Sequence, residues 1–157
     1  MNPRTAFVGL FLLSIFFFGC SKSDKETDSS YPEIDLHLTD AFPIQCSTVE
    51  RGKPLQFKGR FTDNKALGSF SLDIHHNFDQ HTHSTEVNNC EAEAIKTPVK
   101  PLVYVKSWDI PAGTTDYTAT ATIDIPADVD PGDYHFLIRL TDAEGWQTIR
   151  GISIKIL

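Results

Sequence analysis

The stretch Asp130-Pro131-Gly132-Asp133-Tyr134-His135-Phe136 decides the fold. It has the form of a tyrosine corner, in which a Tyr just inside a strand returns its hydroxyl to the backbone upstream and the residue two places later points into the core. Tyr134, Phe136, Ile138 and Leu140 alternate with His135, Leu137 and Arg139, so one face of this strand is apolar along its length. The strand ends at Thr141-Asp142-Ala143-Glu144-Gly145, a turn in which Gly accepts positive φ. A return strand follows through Ile152, Ile154 and Ile156.

The same alternation runs upstream. Ile34, Leu36 and Leu38 suggest a first strand, and Leu55, Phe57, Gly59 and Phe61 a second, ended by Thr62-Asp63-Asn64. Phe70, Leu72 and Ile74 give a third, and Leu102 to Val105 a fourth whose inward face the pattern leaves open. Tyr117, Ala119, Ala121, Ile123 and Ile125 give a fifth, closed by Pro126. No stretch after residue 30 keeps a helical apolar period. About seven short strands with turn signals between them predict an all-β, antiparallel two-sheet sandwich, and the tyrosine corner makes it immunoglobulin-like. Phe136 stands where an antibody domain has Cys.

The beginning of the chain has a different character. Five of the 11 Phe of the 157-residue chain lie in the first 18 positions. Arg4 precedes an apolar run from Ala6 to Phe18, then Gly19 and Cys20. Such a run spans about 20 Å as a helix, short of the ~30 Å hydrocarbon core, and reads as a secretory signal over residues 1–19. The Gly19-Cys20 junction resembles a bacterial lipobox, with Phe17 and Phe18 in place of the usual Leu and small residue. Cys20 would be the lipidated first residue of the mature protein; a plain signal peptide or a membrane anchor is the alternative. Residues 20–30 are then lipidated Cys and tether, since Ser21 to Ser30 holds no apolar side chain, and residues 31–157 form the domain. The acidic residues after Cys20 resemble the surface-export signals of Bacteroidetes lipoproteins. The expected place is the outer membrane, facing periplasm or cell surface, an oxidising setting.

Net charge is −7 and no basic block exists, which argues against nucleic acid and against charge-driven binding to anionic lipid. Membrane contact is expected through the lipid anchor alone.

Four of the six His fall between positions 75 and 83. With Phe70, Leu72 and Ile74 facing the core, Asp73 and His75 face the other way, and by the same parity so does His135. If the third strand is strand C, it lies beside strand F, and His75 and His135 share one outer face. His81-x-His83 lies in a segment long enough to fold back over that face. Converging neutral imidazoles with a carboxylate suit zinc, copper(II) or nickel. The candidate ligands are His75, His81, His83 and His135, with Asp73 as a further ligand or as the acceptor that orients an imidazole. His76 reads as structural, and His37 is remote. The single Met lies in the signal, which excludes a thioether copper(I) site. A solvated His cluster and a pH-responsive surface remain as alternatives, free imidazole titrating near pH 6.5.

Cys46 and Cys90 are an even pair once Cys20 is lipidated, so a disulfide is expected, stabilising by about 4 kcal/mol in the chain-entropy view. The rival is Cys90 as a thiolate ligand beside His83. Asp128, Asp130 and Asp133 suggest calcium or, more simply, turn chemistry. Trp108, Trp146, Tyr104 and Phe78 suggest either a sugar-stacking surface or partial core. No nucleophile elbow, H-E-x-x-H or phosphate loop is present, and no carboxylate spacing marks an acid/base pair, so no enzyme is expected.

LDIHHNFDQHTHS, the upstream FPIQC and RG, FTDN-x-x-LGSFS, and IPAD-x-x-x-GDYHFLIRLTD-x-EGWQ together resemble a domain family of unknown function from Bacteroidetes lipoproteins. The resemblance covers Tyr31 to Leu157 and implies an immunoglobulin-like extracytoplasmic lipoprotein whose site joins Asp73–His83 to His135. It supplies no activity. The leading expectation is an envelope lipoprotein that captures or buffers a transition-metal ion, the acidic surface concentrating cations. A glycan- or envelope-protein-binding module is the alternative, and a small metalloenzyme the third reading, by fold analogy with copper–zinc superoxide dismutase.

Overall fold

Period-two alternation becomes eight strands and no helix among the residues described by a computed structural model, 27–83 and 90–157. The expected signal over residues 1–19, Cys20 and the tether up to residue 26 lie outside the described residues. The strands are β1 (Glu33–Asp35), β2 (Ser47–Val49), β3 (Pro54–Thr62), β4 (Leu67–His76), β5 (Tyr104–Asp109), β6 (Asp116–Asp124), β7 (Gly132–Asp142) and β8 (Gln147–Ile156). They form two sheets, ordered β1-β3-β6 and β2-β8-β7-β4-β5. This is a sandwich in which β4 and β7 hold the places of strands C and F.

Alternate side chains of both sheets meet in the middle. Phe57 stacks on Phe136 across the sandwich at 5.8 Å between ring centroids and touches Phe70 at 6.3 Å. Leu72, Ile74, Ile123, Ile138 and Leu140 are fully buried around them. Truncating one such ring to Ala costs about 3–5 kcal/mol in cores of this kind.

The tyrosine corner is formed as expected. The Tyr134 hydroxyl donates to the Asp130 carbonyl at 2.7 Å and accepts the Leu102 N–H at 3.1 Å. Burial pushes the Tyr134 phenol above its ordinary pKa. These two bonds fix the start of β7, and with it His135.

The structure departs from the sequence expectations in four places. The first strand stops at Asp35, so Leu36 and Leu38 fall beyond it. An eighth strand, β2, pairs in parallel with β8, so the second sheet is mixed instead of purely antiparallel. The fourth strand begins at Tyr104, with Tyr104 and Trp108 toward the core side and Val103 and Val105 exposed. The segment read as tether already joins the domain at Asp28, which is buried; the Trp146 indole N–H donates to its carbonyl at 3.1 Å, and Tyr31 sets its ring edge on Trp146.

Candidate metal centre

The centre is built on two register partners. His75 near the end of β4 and His135 near the start of β7 stand directly opposite each other, on the face turned away from the core. Their ring centroids are 5.2 Å apart. His135 is nonetheless 0% exposed, because the chain beyond β4 covers it.

That cover comes from a tight reversal. The Gln80 N–H donates to the Asn77 carbonyl at 3.1 Å, and Gln80 takes a left-handed φ of 56°. The chain turns back, and His135 Nε2–H donates to the His81 carbonyl at 3.2 Å. His81 stacks parallel to His75 at 5.6 Å, and His83 stands edge-on to His135 at 4.4 Å.

The far arm is fastened separately. Cys46 and Cys90 form a disulfide, which removes Cys90 as a thiolate ligand. The Cys46 N–H donates to the Ser153 carbonyl at 2.9 Å, so the bridge ties residue 90 to β8. Asp133 Oδ2 then accepts the Glu93 N–H, and the Phe78 carbonyl accepts the Lys96 N–H. Gly132 is required between these elements: at φ 130° a Cβ there would meet the Phe78 ring at 3.0 Å and the Lys96 ammonium at 2.8 Å.

His75, His81, His83 and His135 each offer a ring nitrogen, all within 4.8 Å of one another. His75 Nδ1–H donates to Asp73 at 2.7 Å and His81 Nδ1–H donates to Asp79 at 2.6 Å. A carboxylate can only accept, so both neutral rings keep their lone pair on Nε2. His75 Nε2 lies 3.1 Å from His83 Nε2. Donors about 2.0–2.1 Å from a tetrahedral ion sit roughly 3.3 Å apart, close to that spacing. The His81 bond holds the Asp79 carboxyl below the usual range, so it stays an anion facing the ring.

Asp73 thus takes the orienting position of its two expected roles and stays outside the converging group. Asp79 does the same for His81 and was missed in the sequence, although the i, i+2 spacing repeats that of Asp73 and His75. His76 turns aside and packs on Phe78 at 5.0 Å, and His37 is exposed elsewhere. The three carboxylates that suggested calcium are spent on loops: Asp130 accepts the Val99 and Lys100 N–H groups, Asp128 pairs with Lys100, and Asp133 holds Glu93. The four aromatics do not assemble into one sugar platform. Phe78 is buried, Trp108 lies flat on Phe70 at 4.9 Å, and Trp146 packs against Tyr31.

A domain of unknown function (DUF4625) matches residues 18–157. No curated protein matches the sequence. Among solved structures, the sporulation control protein Spo0M from Bacillus subtilis is similar at 12% identity and a TM-score of 0.44, over 81% of this chain and 49% of that one. The GspB Siglec domain is similar at 19% identity and a TM-score of 0.43, over 83% of this chain and 59% of that one. The chain therefore spans about half to three-fifths of the length of these structures.

Proposed function

We propose that this chain, which belongs to the DUF4625 family of unknown function, is a lipid-anchored envelope protein that captures or buffers a divalent transition-metal ion. The reading rests on one observation: four imidazoles drawn from β4, β7 and the folded-back loop bring ring nitrogens within 4.8 Å of one another. Two of the rings are held by carboxylates with Nε2 as the donor. Four nitrogen donors suit zinc, copper(II) or nickel. They also fill a tetrahedral shell, which supports holding an ion over activating a water molecule, a task that needs an open position. Cys20 as lipid attachment and an outer-membrane location, toward periplasm or surface, complete the proposal.

The test is calorimetric titration of the chelator-stripped protein with zinc, copper(II) and nickel, beside a His75→Ala/His135→Ala variant checked for intact fold. One ion bound per chain at submicromolar affinity, lost in the variant, is the expected result. Weak binding, or binding the variant keeps, overturns the proposal and directs the search to glycan and protein partners.

A further inference from the structure

The opposite end of β7 holds a second cluster, made only of oxygen donors. Asp28, Asp142 and Glu144 each present a carboxylate oxygen within 4.8 Å of the others. Asp142 is the last residue of β7 and continues its inward row of Tyr134, Phe136, Ile138 and Leu140, so its side chain is only 3% exposed. Asp28, from the N-terminal segment, is 4% exposed. Glu144 lies exposed in the β7–β8 turn.

Each buried carboxylate has one oxygen engaged and one spare. Asp142 Oδ1 accepts the Gly145 and Trp146 N–H groups at 2.6 and 2.7 Å, which shapes the turn. Asp28 Oδ1 accepts from Ser30 N–H at 3.0 Å and from the Asn64 amide at 3.1 Å. Asp28 Oδ2 and Asp142 Oδ2 are both buried and accept no hydrogen bond among the described residues. Buried carboxylate oxygens without a donor are costly, and two of them beside a third carboxylate repel one another. Nearby, Gly68 leaves no room for a side chain, since a Cβ would meet the Asp142 carbonyl oxygen at 2.6 Å.

We infer that Asp28, Asp142 and Glu144 bind a calcium-class divalent cation that clips the start of the domain to the β7–β8 turn. An all-oxygen set with spare carboxylate oxygens matches a hard cation, and a cluster gathered from an N-terminal segment and a turn suits calcium over the rigid octahedral demand of magnesium. Asp28 comes from the segment next to the tether, and Trp146 already bonds its carbonyl. The bound ion would therefore pin Asp28 against the turn that holds Asp142 and Glu144. This site is independent of the imidazole centre in ligand type and in position.

The test follows Trp146 emission and the melting temperature of the purified protein during titration with calcium chloride, with magnesium and zinc as comparators. Saturation with one ion per chain in the range of about 0.1–1 mM is expected, as for extracellular calcium modules. Asp28→Asn keeps the oxygen that accepts from Ser30 and Asn64, and Glu144→Gln changes only an exposed side chain. Each is expected to weaken calcium binding about tenfold or more, while His75→Ala/His135→Ala leaves it unchanged. No saturable response up to about 10 mM calcium overturns the inference. So does a response that both carboxylate variants retain, or one in which zinc replaces calcium.

Discussion

The two ends of β7 solve the same problem in opposite ways. His135 lies near its start and Asp142 at its end, roughly 23 Å apart for seven residues of strand. His135 points away from the core and is buried only because a loop folds over it. Asp142 points toward the core side and is buried by strand parity, at the edge where the apolar row stops. The first end gathers nitrogen donors across long sequence separations and needs a disulfide to fasten its loop. The second brings two oxygen donors from a five-residue turn, whose backbone the Asp142 carboxylate itself shapes, to a third on Asp28 from the N-terminal segment. The nitrogen set thus sits on a fastened loop and the oxygen set on a turn joined by the N-terminal segment, donor types that suit softer and harder cations respectively.

That contrast can be broken most sharply at the imidazole end. His75→Ala/His135→Ala is expected to lower zinc affinity by more than about a thousandfold, or ~4 kcal/mol, in a chelator-competition titration, and to leave the calcium response intact. A parallel loss at both ends would mean the two are one cooperative unit.

Next in size is the disulfide. Cys46→Ser/Cys90→Ser is expected to lower unfolding stability by about 4 kcal/mol in urea, the loss of loop-closure entropy in the unfolded chain. Hydrogen exchange should rise over residues 77–83 and stay protected at the Asp142 turn. Uniform exchange along the chain would remove the distinction between the fastened loop and the Asp142 turn.

Removing an orienting carboxylate tests a finer point. Asp73→Ala is expected to weaken zinc binding about 10- to 100-fold, since His75 then loses the partner that presents its Nε2. Unchanged affinity would mean that Asp73 merely accompanies the ring.

The smallest effect belongs to the corner between the ends. Tyr134→Phe strips the Asp130 carbonyl of its donor and the Leu102 N–H of its acceptor, and should cost about 1–3 kcal/mol of stability. Thermal denaturation reads it, and calcium affinity at the far end should not move.

Much of the imidazole end was legible because period-two alternation assigns faces. Ile74 and Phe136 inward put His75 and His135 outward, and the tyrosine corner placed their strands side by side. The fold-back of His81 and His83 was an expectation from loop length. What realises it is the left-handed Gln80 and the arm anchored at Cys90, neither of which has a periodic signature. β2 was illegible for a different reason. It offers three residues with one buried side chain, Val49, and exists through its parallel partner β8. The acidic end was hidden because Asp142 reads as a turn residue and Asp28 as part of a polar tether. Yet extending the parity of β7 by one step already puts Asp142 on the buried side. The burial of Asp28 depends on Asn64 and Trp146, 36 and 118 positions away, which no local pattern announces.

The central claim is that four imidazoles hold one ion. X-ray absorption at the zinc edge of the loaded protein measures this most directly. The expected spectrum shows four nitrogen scatterers about 2.0–2.1 Å from zinc, with the outer-ring scattering of imidazole and no sulfur. A shell dominated by carboxylate or water oxygen, or a spectrum unaltered by His75→Ala/His135→Ala, would contradict it.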